Sequence, residues 1–195
     1  MAYDKKAFLK NVTILHDSGE QENTHILDEL DRMGIKHELV NLDYGDYSFK
    51  AQGRDFSLSC VIERKANIDE LYGNLTKDRE RIEREFALAS TMANDFSLLI
   101  ENCESWDFLR DYNVPEWQMK AYGRKVQNIG YECYQTINSW QSGNRYSFVT
   151  IMVADKEQTA SKILEHFYWY WRNYKILTAN RRSIRKGVKQ SGEAI

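Results

Sequence analysis

Residues 58–65, LSCVIERK, begin as an apolar run and end on three consecutive charges. A short apolar segment with β-branched residues reads as a strand, and its unbroken apolar character fits a sheet covered on both faces. The expected frame is therefore α/β, a mixed central sheet flanked by helices. Charges at the end of such a strand are unexpected, since a buried sheet otherwise stays apolar. In Glu63-Arg64-Lys65 the strand period of two sets Glu63 and Lys65 on one face, roughly 6–7 Å apart. A carboxylate able to hold a hard cation then stands beside an ammonium able to steer water or balance phosphate charge.

The flanking sequence supplies the remaining elements. VTILHD (12–17) reads as a buried strand ending on an acid, and a helix over about 21–33 follows, with Gly34 as its stop. HELVNL (37–42) is a second strand. Tyr47–Phe49 and Leu58–Lys65 pair around the polar turn QGRD, which places Asp46 just upstream of the partner strand. Asn67 caps a short helix with Glu70 three residues on and Asp69 in its first turn. Thr76 is expected to cap a helix over about 76–93, striped by Ile82, Phe86, Ala89 and Ala93. FSLLIE (96–101) is a strand, 104–142 is mostly helical with Pro115 at a helix start, 146–154 is a strand and 156–171 a helix. The order is β-α-β-β-β-α-β-α-β-α in one domain, residues 1–174, followed by a basic, flexible tail, 175–195.

Composition excludes several classes. No apolar run reaches the roughly 18–20 residues that span a bilayer, and MAYDKKAFLK lacks a signal-peptide apolar stretch, so an intracellular protein is expected. Cys60, Cys103 and Cys133 are odd in number and widely spaced, which argues against a disulfide framework and against structural zinc. The four histidines, His16, His25, His37 and His166, are equally scattered and read as surface or packing residues. The net charge of −2 conceals an asymmetry: from Arg172 onward seven Lys or Arg face one acid, on a body of twenty bases and twenty-eight acids. A basic end on an acidic body is compatible with nucleic-acid binding.

Taken together, Gly45-Asp46-Tyr47, Val61-Ile62-Glu63-Arg64-Lys65 and Asp69 resemble the GD…ERKxxxD signature of the XPF-type (ERCC-type) nuclease domain, part of the PD-(D/E)XK nuclease superfamily. ILHDSGEQ (14–21) is similar to the family's first strand and acidic motif, DRERIERE (78–85) to its next helix and LLIE (98–101) to its next core strand. The resemblance covers about residues 12–101 and implies a restriction-endonuclease-like fold. It also implies that Asp46 and Glu63 ligate Mg²⁺ or Mn²⁺, with the carbonyl of Arg64 as a further donor. Lys65 would position or activate the attacking water. Asp17 would complete the acidic cluster as a second-shell or second-metal ligand, and Asp69 would orient Lys65 or Arg64. Glu20 could join the cluster or simply open the first helix. Arg64 and Arg79 would meet DNA, with Arg181, Arg182, Arg185 and Lys186 adding contacts from the tail; Arg79 could equally pair with Glu83.

The chain departs from the family pattern at Gly19, where an arginine is usual, and no helix-hairpin-helix module is expected after the nuclease region. A metal-dependent DNA endonuclease for branched or flapped DNA is the leading expectation. Another PD-(D/E)XK activity, restriction-like or exonucleolytic, and a catalytically silent DNA-binding subunit are the alternatives. A phage or mobile-element setting fits a compact nuclease of this kind. The aromatic run HFYWYW (166–171) admits three roles: packing within the monomer, a homodimer through Phe167, Trp169, Tyr170 and Trp171, or base stacking.

Overall fold

Seven strands build the sheet on which everything else rests, in a computed structural model that describes residues 5–20, 22–122 and 125–192. The chain runs α1 (Lys5–Asn11), β1 (Val12–Asp17), α2 (Thr24–Arg32), β2 (Lys36–Val40), β3 (Tyr47–Ala51), β4 (Arg54–Asp55), β5 (Cys60–Lys65), α3 (Ile68–Thr76) and α4 (Arg79–Met92). It continues with β6 (Asp95–Glu101), α5 (Trp106–Asp111), α6 (Glu116–Tyr122), α7 (Ile129–Ser142), β7 (Val149–Val153), a 3₁₀ turn at Lys156–Gln158 and α8 (Thr159–Gly192). The strand order is β2-β1-β3-β5-β6-β7, with the two-residue β4 paired to β3. β1/β2, β5/β6 and β6/β7 are parallel, whereas β1/β3 and β3/β5 are antiparallel. The mixed sheet flanked by helices is thus the architecture observed.

Alternation along β5 explains why the sheet must be covered twice. Cys60 and Ile62 enter a core shared with α1, α2 and α8, while Val61 enters a second core with α3, α4 and α7. The aromatic residues of α8 serve mainly the first core. Phe167 stacks on Phe49 at 4.8 Å between ring centroids, and Trp171 meets Phe8 at 5.3 Å. Phe167 and Trp171 are therefore sealed inside the monomer and cannot serve a second subunit; Trp169 is exposed and Tyr170 half-buried.

Several local expectations need correction. Helix α1 was not anticipated; Phe8 anchors it in the core. Thr76 ends α3 instead of capping α4, its hydroxyl donating to the Tyr72 carbonyl at 2.7 Å. Residues 175–192, expected as a flexible tail, continue α8. No proline and only Gly187 interrupts residues 159–191, so nothing in the local sequence ends the helix at Trp171. The side chains of Arg182, Arg185 and Lys186 lie outside the described residues. No helix among the described residues is long and apolar enough to cross a membrane.

Candidate active site

The topology gathers one end of several strands. The C-terminal ends of β1, β5 and β6 lie beside the N-terminal end of β3, because β3 runs opposite to β1 and β5. Asp17, Asp46, Glu63, Arg64, Lys65 and Glu101 all sit at this edge. Gly45 makes the placement of Asp46 possible. Its φ is +73°, and a Cβ there would come within 3.1 Å of the Val61 Cβ and 3.2 Å of the Ile62 carbonyl oxygen. Past that glycine, the Asp46 N–H donates to the Ile62 carbonyl at 2.8 Å, and Asp46 Oδ2 accepts the Arg64 N–H at 2.6 Å.

The period-two reading of Glu63 and Lys65 holds. Both face the α3/α4 side, and Lys65 Nζ donates to Glu63 Oε1 at 2.7 Å with both side chains less than a tenth exposed. Burial would lower the Lys65 ammonium, but Glu63 and Asp46 reverse this and hold it well above the usual lysine range. Burial, followed by the charge on Glu63, pushes the Asp46 carboxyl well up. Asp46 Oδ1 and Glu63 Oε2 take no hydrogen bond from the described residues, leaving two oxygens for a cation.

Arg64 points through the opposite face. Its Nε and Nη2 donate to Glu101 Oε1 and Oε2 at 3.0 and 2.9 Å, its Nη1 to Glu20 Oε1 at 2.9 Å, and Nη2 also to the Glu22 carbonyl at 3.1 Å. His25 Nε2 lies 2.9 Å from Glu101 Oε1. Burial would raise the Glu101 carboxyl, but the Arg64 bonds override it and hold it below the usual range. Burial has the opposite outcome at Glu20, whose carboxyl is raised despite Arg64.

An open cleft of about 670 Å³ runs over the Glu63–Lys65 side, lined by eight acids against three bases, Arg64, Lys65 and Arg81. Fully ionised, that lining would repel a phosphodiester. A hard divalent cation matches both the surplus negative charge and the all-oxygen donors, so the chemistry of Asp46 and Glu63 fits such an ion.

The ERCC4 domain family model matches residues 16–166. The chain belongs to the ERCC4 domain family. That membership indicates a nuclease domain. No curated protein matches the chain. Among solved structures, XPF from Aeropyrum pernix is similar at 16% identity and a TM-score of 0.57, over 81% of this chain and 61% of that one. XPF from Aeropyrum pernix in complex with DNA is similar at 16% identity and a TM-score of 0.57, over 83% of this chain and 66% of that one. This chain thus spans somewhat under two thirds of those solved chains, and at that identity the likeness shows the fold.

Within this ERCC4 domain some expected residues stand elsewhere. Asp17 lines the cleft, but its Oδ1 accepts the Leu42 N–H and its Oδ2 the Gly19 N–H, each at 2.7 Å. These two bonds brace the loops that follow β1 and β2. Asp69 turns away and accepts the Tyr112 hydroxyl at 2.7 Å, while Glu70 stands 3.8 Å from Lys65 Nζ and accepts the Ala66 N–H. Arg79 pairs with Glu83 at 2.8 Å and packs over Trp140, whereas Arg81 lines the cleft. A helix advances about 100° per residue, so a shift of one or two positions exchanges inside for outside. Glu101 was missed, although, like Asp17 and Glu63, it is an acid ending an apolar strand.

Proposed function

We propose that this ERCC4 domain is a metal-dependent DNA endonuclease that cuts branched or flapped DNA in recombination, repair or replication inside the cell. The observation that carries the reading is the pairing of Asp46 and Glu63 with a buried, charged Lys65 in a cleft whose lining is strongly acidic. Asp46 and Glu63 would hold Mg²⁺ or Mn²⁺. The ion supplies positive charge to the phosphoryl oxygens and to the leaving oxygen.

The chain's own groups do the rest. Lys65 is oriented by Glu63 and carries its proton, so it donates hydrogen bonds to the attacking water or to a phosphate oxygen and stabilises charge there. Glu70 stands on its other side and limits its swing. Arg64 is not free to reach DNA through its guanidinium; it positions the strand end, and its N–H orients Asp46. Arg81 lines the cleft, paired with Glu85 at 2.6 Å, and is placed to meet a phosphate there. Arg181, with Arg182, Arg185 and Lys186, would add affinity from α8, away from the cleft. Exposed Trp169 is the one aromatic residue of the α8 run well placed for a homodimer contact.

The test is cleavage of labelled duplex, flap and four-way-junction DNA with Mg²⁺ or Mn²⁺. Asp46→Asn and Lys65→Ala should each lose cleavage while retaining fold and DNA binding. Full activity in both variants would sink the assignment, and exclusive trimming from ends would contradict an endonuclease.

A further inference from the structure

We propose that Cys60, Asp95 and His166 form a second metal site, for a borderline transition ion of the Zn²⁺ type, at the end of the sheet opposite the carboxylate cleft. Cys60 and Asp95 open the neighbouring parallel strands β5 and β6 and are register partners, whereas Lys65 and Glu101 close those strands at the cleft end. The N–H groups of Asn94 and Asp95 both donate to the Ser59 carbonyl at 3.0 Å, which fixes the two strand starts together. Asp95 shares its face of β6 with Ser97 and Leu99, the face that α8 crosses, and α8 brings His166 down onto it.

The donor atoms of the three residues all lie within 4.8 Å of one another. His166 Nε2 is 2.9 Å from Asp95 Oδ1 and 3.2 Å from Ser97 Oγ, and Ser97 Oγ is 3.4 Å from Asp95 Oδ1. Ligands about 2.0–2.3 Å from a tetrahedral ion stand roughly 3.3–3.8 Å apart, so shifts of only tenths of an ångström to about an ångström admit one. Asp95 and His166 also line a cavity of about 420 Å³ with Tyr170 and Asn173, from which water would complete the ligand set.

Sulfur, nitrogen and oxygen together discriminate against Mg²⁺ and favour a softer ion, in contrast to the all-oxygen pair in the cleft. On binding, the Cys60 thiol proton leaves to solvent, and thiolate plus carboxylate balance the dication, so no net charge is buried. Bridging β5, β6 and α8, such an ion would pin the C-terminal helix to the sheet, a role separate from cleavage.

The full chain, stripped by chelator, should be titrated with Co²⁺. One equivalent is expected to give a thiolate-to-cobalt absorption band in the near ultraviolet, displaced by Zn²⁺ and not by a thousandfold excess of Mg²⁺. Cys60→Ser should abolish the band. His166→Gln, at a partly exposed site, should weaken binding at least about tenfold. Asp46→Asn with Glu63→Gln should leave the band intact. No band at saturating Co²⁺, displacement by Mg²⁺, a native-like band in Cys60→Ser or unchanged affinity in His166→Gln would each overturn the site.

Discussion

Replacing Glu101 by Gln should destabilise the fold by about 3 kcal/mol, the lower end of what breaking a buried ion pair costs. Arg64 and Glu101 meet through two bonds of 2.9 and 3.0 Å, and their side chains are 3% and 1% exposed, so solvent screens little. A glutamine keeps one acceptor but turns an N–H₂ toward a guanidinium N–H, which removes a bond and leaves buried charge short of a partner. Glu20, at 2.9 Å from Arg64, still compensates in part, which places the cost at the lower end. Urea denaturation at pH 7 reads the effect: with a slope near ~2–3 kcal/mol per molar, the midpoint falls by roughly 1–1.5 M. The pH dependence follows from the depressed Glu101 carboxyl. Its contribution is present above the unfolded glutamate pKa of about 4.3 and is lost as pH falls through the lower folded value, so the gap to the native protein should close in acid. A loss below about 1 kcal/mol at pH 7, or a gap that stays constant into acid, would refute the reasoning.

Gly45→Ala should cost about 1–2 kcal/mol of backbone strain and lower cleavage further than that, because the added Cβ meets Val61 and the Ile62 carbonyl and the shift of residue 45 displaces Asp46. Thermal unfolding compared with single-turnover cleavage separates the two effects. Asp46→Asn should stabilise the metal-free protein: the native carboxyl titrates above its unfolded value, so stability is lost as pH rises through the folded value, and Asn removes that loss. In chelator the variant should melt higher than native at pH 8 and no differently in acid; a lower melting point at pH 8 would contradict this. Removing residues 181–195 spares Tyr174, which packs on Phe56, and should weaken DNA binding and flatten its salt dependence by about 0.9 in slope for each phosphate that is no longer neutralised. An unchanged slope would make that end of α8 incidental to binding.

The strands, the Asn67 cap and the shared face of Glu63 and Lys65 were legible because each depends on side chains within a few residues of one another. Asn67 Oδ1 does accept the Glu70 N–H, and Lys65 does meet Glu63. The resemblance carried by GDY and VIERK likewise sits in two short segments, and it led to the family. Helical phase was harder to read: Glu70 replaced Asp69 beside Lys65, and Arg81 replaced Arg79 in the cleft, since an error of one residue in a helix start rotates every side chain that follows.

What the sequence determined by itself was the alternation of buried strands and helices and the chemistry of the charges that end β5. Periodicity and propensity are local, so they survive without knowledge of the fold. The partners of those charges were decided by the tertiary structure. Arg64 finds Glu101 and Glu20 only because parallel β6 lies beside β5 and the loop after β1 folds over both. Cys60, Asp95 and His166 are scattered along the chain, yet strand register and the crossing of α8 bring their donor atoms within 4.8 Å. Contacts of that range are set by which surfaces pack together, and no spacing in the chain encodes them.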